Sequence, residues 1–260
     1  MDRKKIVSLL KNDLTQYRKT KKYVISSLTG LLSVLIAMLL IIAIPLDTGN
    51  IDTDRLSSVR SRNPTADDGM AVWLAVAETV IPGLLLMSAA LSPGFLALSV
   101  ISSEKEQRTV ESLFLLPVSD IDILISKVLS SVPVSVAGTW IIYLASLVFT
   151  AMYHSTSLLF IFLNWKIIIE ILLLVPALSI FSALGGTIVS MVVSDTRAAM
   201  NMAFIPGALS MFIAFLLIMG DLSLSVTFLL LAIVILIMLD VVGFGIAISC
   251  FKREKILLRY

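Results

Sequence analysis

The composition of this chain is that of a membrane protein. Of its 260 residues, 58% are apolar or aromatic and 15% are charged, whereas soluble domains average about 45–50% and about 25%. One cysteine, Cys250, and one histidine, His154, leave no internal disulfide and no Cys/His zinc pattern. The net charge of +2 gives no reason to expect a nucleic acid partner. A soluble enzyme is therefore excluded, and a zinc or triad-type hydrolase is disfavoured.

Residues 1–22 are predicted to form a cytoplasmic amphipathic helix at the membrane interface. Ile6, Leu10, Leu14 and Tyr17 recur at helical spacing, and most of the basic residues lie on the other side. A basic face of this kind suits anionic lipid headgroups. We expect the helix to lead into the first span and to brace a cytoplasmic partner. The alternative is an ordinary basic flank that only sets orientation.

Six apolar runs are long enough to cross a bilayer, which takes about 20 residues. They lie at about 23–44, 78–101, 125–153, 167–193, 199–219 and 223–251. The sequence therefore predicts an all-α membrane protein in which residues 23–260 form one six-helix domain.

The basic residues predict the orientation of these spans. With both termini in the cytoplasm, sixteen of the twenty lysines and arginines lie inside, as the positive-inside rule requires. The four left outside are Arg55, Arg60, Arg62 and Lys166. Residues 46–71 then form the only sizeable external segment.

The segment between the second and third spans, 102–127, is the most informative part of the sequence. Its charge density contrasts with the apolar runs on both sides. Ser103 with Glu106 makes a capping box, which predicts a helix that begins at Glu104. Pro117 ends that helix, and Ser119 with Asp122 makes a second capping box that begins the third span. A short amphipathic helix held between two spans is suited to transmit a push from a cytoplasmic domain.

The same segment resembles the ABC type-2 transporter permease family. The family pattern Glu-x-Glu-x-Gly-Thr-x-Glu, followed by a Leu-rich step, Pro-x-Ser/Thr, an acidic residue and a Lys, is matched in order. The matching residues are Glu104, Glu106, Thr109, Glu111, Leu113, Pro117, Ser119, Asp122 and Lys127. Arg108 stands where the family has glycine. The cytoplasmic termini, amphipathic lead-in and six spans extend the resemblance over the whole chain.

The resemblance implies that residues 102–124 contain a coupling helix that docks on an ATP-binding cassette subunit. The implied contact residues are Glu104, Glu106, Arg108, Thr109, Val110, Glu111, Phe114 and Pro117. The chain has no G-x-x-x-x-G-K-[ST] loop and no Gly-Lys dipeptide, so it offers nucleotide phosphates no nest of backbone N–H groups. ATP and magnesium are therefore expected on a separate polypeptide, and no catalytic, cofactor or metal site is expected here.

Asp240 is the ionisable residue predicted deepest within a span. It is a candidate pathway residue that contacts a cation or substrate; the alternative is an acid that locks helix packing. Lys166 and Glu170 lie four residues apart at the predicted outer edge, where snorkelling makes charges inexpensive and the two can pair. The small residues Ser131, Ser135 and Thr139 in span three, and Ser182, Gly186 and Ser190 in span four, are predicted to be packing surfaces.

These observations favour the permease subunit of an ATP-driven exporter in the cell membrane. The resemblance implies a second permease subunit, identical or paralogous, and a drug, lipid-type or ion substrate. The rival interpretation is a secondary transporter driven by an ion gradient through Asp240. An intramembrane enzyme is disfavoured because the spans hold no cluster of catalytic groups.

Overall fold

The computed structural model describes residues 30–40, 68–106, 119–153, 163–193 and 226–250, with the isolated residues 198, 202, 208 and 212. Every element within these ranges is helical. The helices are α1 (Gly30–Leu40), α2 (Asp68–Glu106), α3 (Asp120–Tyr153), α4 (Trp165–Ile169), α5 (Val175–Val192) and α6 (Val226–Cys250). A π-helical segment, Glu170–Leu174, joins α4 to α5 without a break.

Four of the described stretches are long and apolar enough to cross a membrane. They are Val80–Ile101, Ile121–Met152, Trp165–Val192 and Leu229–Cys250. These stretches confirm the second, third, fourth and sixth predicted spans to within a few residues. The shorter helix α1 lies inside the predicted first span. The predicted fifth span and the amino-terminal helix lie outside the described ranges, so the count of six spans stays a prediction.

The bounds of α2 differ from those predicted. The helix begins at Asp68, inside the segment expected to be an external loop, and it continues through Ser103 to Glu106. The predicted start of a new helix at Glu104 is therefore wrong, and Ser103 is not an N-cap. The physical reason is that residues 101–106 contain neither proline nor glycine, so nothing stops the helix that is already running.

Helix α5 packs against α2, α3 and α6, and α2 also packs against α3. Most of the apolar stretch of α2 is buried, whereas α3 and α6 expose most of theirs. The exposed side chains are apolar, including Ile141, Val148, Val241 and Val242. Such faces are suited to lipid, because hydrocarbon chains solvate apolar groups without cost.

The contacts fix the relative directions of the helices. Ser88 of α2 is bonded to Thr139 of α3, and Ser92 is bonded to Ser135, so the two helices are antiparallel. One apolar cluster joins Leu178 of α5 to Leu236 of α6, and another joins Leu184 to Ala247. Helices α5 and α6 are therefore parallel.

Candidate functional site

The charged segment 102–124 begins and ends at one end of the helix bundle. Ile101, near the end of α2, and Ile123 and Leu124, near the start of α3, belong to the same buried cluster. Leu184 and Met191 of α5 and Ala247 of α6 complete the buried part of that cluster. The stretch 107–118 therefore connects two helix ends that lie side by side at this end of the bundle.

The N-cap serine of the second predicted capping box, Ser119, is confirmed. The Ser119 hydroxyl oxygen accepts a hydrogen bond from the Asp122 N–H over 3.2 Å, and the Ser119 carbonyl accepts one from the Ile123 N–H, also over 3.2 Å. An N-cap serine of this kind satisfies an N–H that has no partner within the helix. Helix α3 thus starts at a fixed point within the charged segment.

The predicted docking residues fall mostly beyond the described ranges. Glu104 and Glu106 lie on the last turn of α2, where the backbone alone is described. The others lie outside the described residues: Arg108, Thr109, Val110, Glu111, Phe114 and Pro117. Their assignment to partner contact stays a prediction.

Lys127 occupies an interior position that the sequence did not indicate. Its side chain is only 2% exposed, close to the start of α3. Ser126, Ser130 and Ser131 around it are also buried. The hydroxyls of Ser130 and Ser131 both donate to the Lys127 carbonyl. The first turns of α3 are therefore polar as well as buried.

The closest approach of two helices occurs where α2 crosses α5. A Cβ on Gly186 would overlap the carbonyl oxygen of Gly94, and a Cβ on Gly94 would lie 2.8 Å from the Ser182 hydroxyl oxygen. Glycine is required at both positions because the two backbones touch. The predicted packing role of Ser182 and Gly186 is confirmed.

Serines of α5 bond to the backbone of α2 around Pro93. Proline has no N–H, so the Ala89 carbonyl loses its usual donor four residues on, and the Ser179 hydroxyl approaches this oxygen to 3.5 Å. The Ser182 hydroxyl donates to the Ala90 carbonyl and accepts from the Gly94 N–H over 3.2 Å. Neighbouring helices satisfy proline-disturbed backbone in membranes in this way.

The hydroxyl stripe of α3 faces α2. Ser135 bonds to Ser92, and Thr139 bonds to Ser88 over 2.9 Å. All four side chains are buried. Ser135 and Thr139 are thus packing residues, as predicted, and α2 is bonded through side chains to both α3 and α5.

Asp240 lies on the face of α6 that packs on α5. Leu236, four residues before it, is buried, and a Cβ on Gly243, three residues after it, would lie 3.6 Å from a methyl group of Leu184. The Oδ1 atom of Asp240 is buried and has no hydrogen-bond partner. The side chain as a whole is half-buried. An acid that locks helix packing would be expected to make a hydrogen bond through Oδ1. That bond is missing in the described structure.

Glu170 is a second intramembrane carboxyl, and sequence reasoning misplaced it. Its side chain is 4% exposed, and its Oε1 atom is buried with no hydrogen-bond partner. The expectation that Glu170 snorkels at the outer edge is wrong. The reason is local: Glu170 opens the π-helical segment, and Ile167, Ile171 and Leu174 around it are buried on the same side.

The π-helical segment leaves one backbone carbonyl without a main-chain donor. The Val175 N–H donates to the Glu170 carbonyl, five residues back, instead of to the Ile171 carbonyl. The donor five residues after Ile171 would be Pro176, which has no N–H. The indole Nε1–H of Trp140 donates to this carbonyl over 3.3 Å. Helix α3 therefore supplies the bond that the π-helical segment lacks.

The described residues contain no group of three or more His, Cys, Asp or Glu side chains that could hold a metal ion. Their arrangement is that of a membrane bundle with polar interior contacts, two intramembrane carboxyls without a full set of partners, and a short charged connection at one end.

Comparison with known proteins agrees with the resemblance seen in the sequence. The family model described as ABC-2 type transporter matches residues 4–212, which is well over half of the chain. No characterised protein and no solved structure was found to match. The matched range includes α1 to α5 and the charged segment, and the family's membrane subunits are permease components. This chain is therefore a membrane protein that belongs to the ABC-2 type transporter family.

Proposed function

We propose that this chain is the permease subunit of an ATP-driven exporter and that residues 102–124 couple it to a separate ATP-binding cassette subunit. The observation that carries the proposal is the position of this segment in a member of the ABC-2 family. It joins α2 to α3 at the bundle end where Ile101, Ile123 and Met191 cluster. A force applied there acts on two antiparallel helices at once.

The proposed division of work between subunits follows from the sequence. This chain has no phosphate-binding loop, so ATP and magnesium bind to the partner. Glu104, Glu106 and Glu111 would meet basic or polar groups of a docking groove, and Val110 and Phe114 would pack in it. Two permease subunits, identical or paralogous, would assemble with two ATP-binding subunits.

The remaining features of the proposal concern topology and cargo. Six spans with both termini in the cytoplasm, preceded by the interfacial helix 1–22, would place the charged end of the bundle inside the cell. The domain 23–260 would form the route through the cell membrane. The cargo would be a drug, a lipid-type molecule or an ion that leaves the cytoplasm.

The test is purification of the full-length chain from native membranes in mild detergent, followed by reconstitution into vesicles. We expect a subunit with a phosphate-binding loop to co-purify, and we expect solute movement that requires ATP. The matched control replaces the lysine of the partner's phosphate loop, which should abolish both ATP hydrolysis and transport. Solute movement by this chain alone, without ATP, would overturn the proposal.

The second candidate function is secondary transport driven by an ion gradient through Asp240. It is favoured by one observation, the buried Oδ1 atom without a hydrogen-bond partner, since intramembrane carboxyls often mark ion pathways. Vesicles that hold the chain alone would then move solute when an ion gradient is imposed, and D240N would stop that movement. The ATP-driven mechanism predicts no movement in either preparation.

A further inference from the structure

We propose that Glu170 is a proton-binding site inside the membrane part of the chain, and that the proton it holds is released when the π-helical segment rearranges during transport. The link to transport rests on the exporter function proposed above, whereas proton binding itself does not. Three features support the proposal: Glu170 is buried, the residues adjacent to it are apolar, and its backbone is π-helical.

The side chain of Glu170 is buried in the interior of the bundle. Glu170 is 4% exposed, and no donor lies within hydrogen-bond distance of its Oε1 atom. The adjacent buried residues are apolar: Ile167 and Ile171 lie in one cluster, and Leu174 lies in another. An ionised carboxylate without a partner is strongly disfavoured in such surroundings, whereas the neutral acid is not. The group is therefore expected to hold a proton in this conformation.

No described charged group on the elements packed against Glu170 is a hydrogen-bond partner of its Oε1 atom. Helix α5 and the described side chains of α1 and α2 include no ionisable residue. The ionisable side chains described on the other neighbouring elements are Lys166 on α4, Asp122, Lys127 and Tyr143 on α3, and Asp240 and Cys250 on α6. None of them is a hydrogen-bond partner of Oε1.

The ligand is a proton rather than a metal cation. Hard cations take about six oxygen ligands or more, and the described residues around Glu170 do not provide a cluster of acidic side chains. A proton needs only the carboxyl group itself. The described residues at this site therefore suffice to bind a proton.

Glu170 lies on an irregular, π-helical stretch of backbone. Single π-helical turns within α-helices occur frequently at functional sites. In the π form, Trp140 bonds to the Ile171 carbonyl. In an α-helical form, the Val175 N–H would bond to that carbonyl instead. The change would rotate Glu170 relative to α5, so the carboxyl group would leave its present apolar surroundings.

The experiment is infrared spectroscopy of the full-length chain in lipid, as a function of pH. We expect a protonated-carboxyl C=O band at neutral pH that has a Glu170 component, present in the wild type and in the matched control D240N and lost in E170Q. Above its midpoint, the band should weaken about tenfold for each pH unit, as for one proton. E170Q resembles the neutral acid, so we expect it to fold.

Two results would overturn the proposal. One is a protonated-carboxyl band that is the same in wild type and E170Q. The other is loss of the Glu170 band near about pH 4, where exposed glutamates ionise. The link to transport is tested separately, because ATP-driven transport by the reconstituted pair should lose its pH dependence in E170Q. A Glu170 band with no ATP-driven transport would contradict the exporter function and leave the proton site intact.

Discussion

The indole N–H of Trp140 and the carbonyl of Ile171 form a hydrogen bond between α3 and the π-helical segment. This bond joins a helix that begins within the charged segment to the buried stretch that contains Glu170. It also satisfies a carbonyl for which neither Val175 nor Pro176 is a donor. The π form of the segment is thus held by a contact from outside its own helix.

Replacing Trp140 with phenylalanine should destabilise the fold. W140F removes the donor and leaves the buried Ile171 carbonyl without a partner, so we expect a loss of about 1–3 kcal/mol. The measurement is the free energy of unfolding in one detergent. The control is W165F, because Trp165 is 67% exposed. Equal losses in the two variants would contradict the assigned role of the bond.

Adding a methyl group at the crossing of α2 and α5 should also be costly. In G186A the new Cβ meets the backbone of Gly94, which cannot move aside as a side chain can, so we expect about 1–3 kcal/mol of destabilisation. Gly245 is the control, because a Cβ there has nothing within 4 Å. G245A should be neutral or slightly stabilising, by up to about 1 kcal/mol. An unchanged unfolding free energy in G186A would show that the helices do not touch there.

The Ser182 hydroxyl is expected to contribute to the same crossing. S182A removes both the bond to the Ala90 carbonyl and the bond from the Gly94 N–H. We expect a loss of about 0.6–1.7 kcal/mol, the range for interhelical bonds in membranes. The control is S249A, because Ser249 is exposed and bonds only within its own helix in the described structure. Comparable losses of unfolding free energy in S182A and S249A would contradict a contribution of the Ser182 hydrogen bonds to the crossing.

Much of this fold could be predicted from the sequence. The apolar stretches of α2, α3 and α6 have no extended charged interruption, so these helices could be predicted. The N-cap at Ser119 could be predicted as well, because Asp122 follows it three residues later. The burial of Glu170 could not be predicted, because its spacing of four from Lys166 is typical of a surface pair on a regular helix. The π-helical turn that buries Glu170 depends on Pro176 and on Trp140. Trp140 is distant from the turn in the sequence.

The N-cap of α3 can be tested at Ser119. S119A leaves the Asp122 N–H without its acceptor, and the expected loss is about 1 kcal/mol. S119D is the control, because aspartate caps helices about as well as serine does. The measurement is the unfolding free energy, together with protease cleavage between α2 and α3. If S119D were as unstable as S119A, loss of the cap would not be the cause.

The proposed coupling segment can be tested by removing two of its charges. In E106Q/E111Q, loss of charge-assisted bonds to the partner is worth about 1.5–3 kcal/mol, so we expect ATP-driven transport to fall by at least about tenfold. The amount of folded chain should not change. The control D52N/D54N makes the same charge change in the predicted external segment. Unchanged transport and partner association in E106Q/E111Q would contradict the coupling role.

The π-helical segment also sets the phase of the helix that contains it. One additional residue in a helix rotates everything beyond it by about 100°. Ile167 and Ile171 pack in the cluster that includes residues of α1. Leu174 and Leu178 pack in the cluster that includes residues of α6. In a regular α-helix of the same length, the residues before the segment would be rotated by about 100° relative to those after it, so one of these two sets of contacts would change. Deletion of a single residue within the segment would remove this additional residue and leave a regular α-helix, so the residues on both sides would keep their present partners.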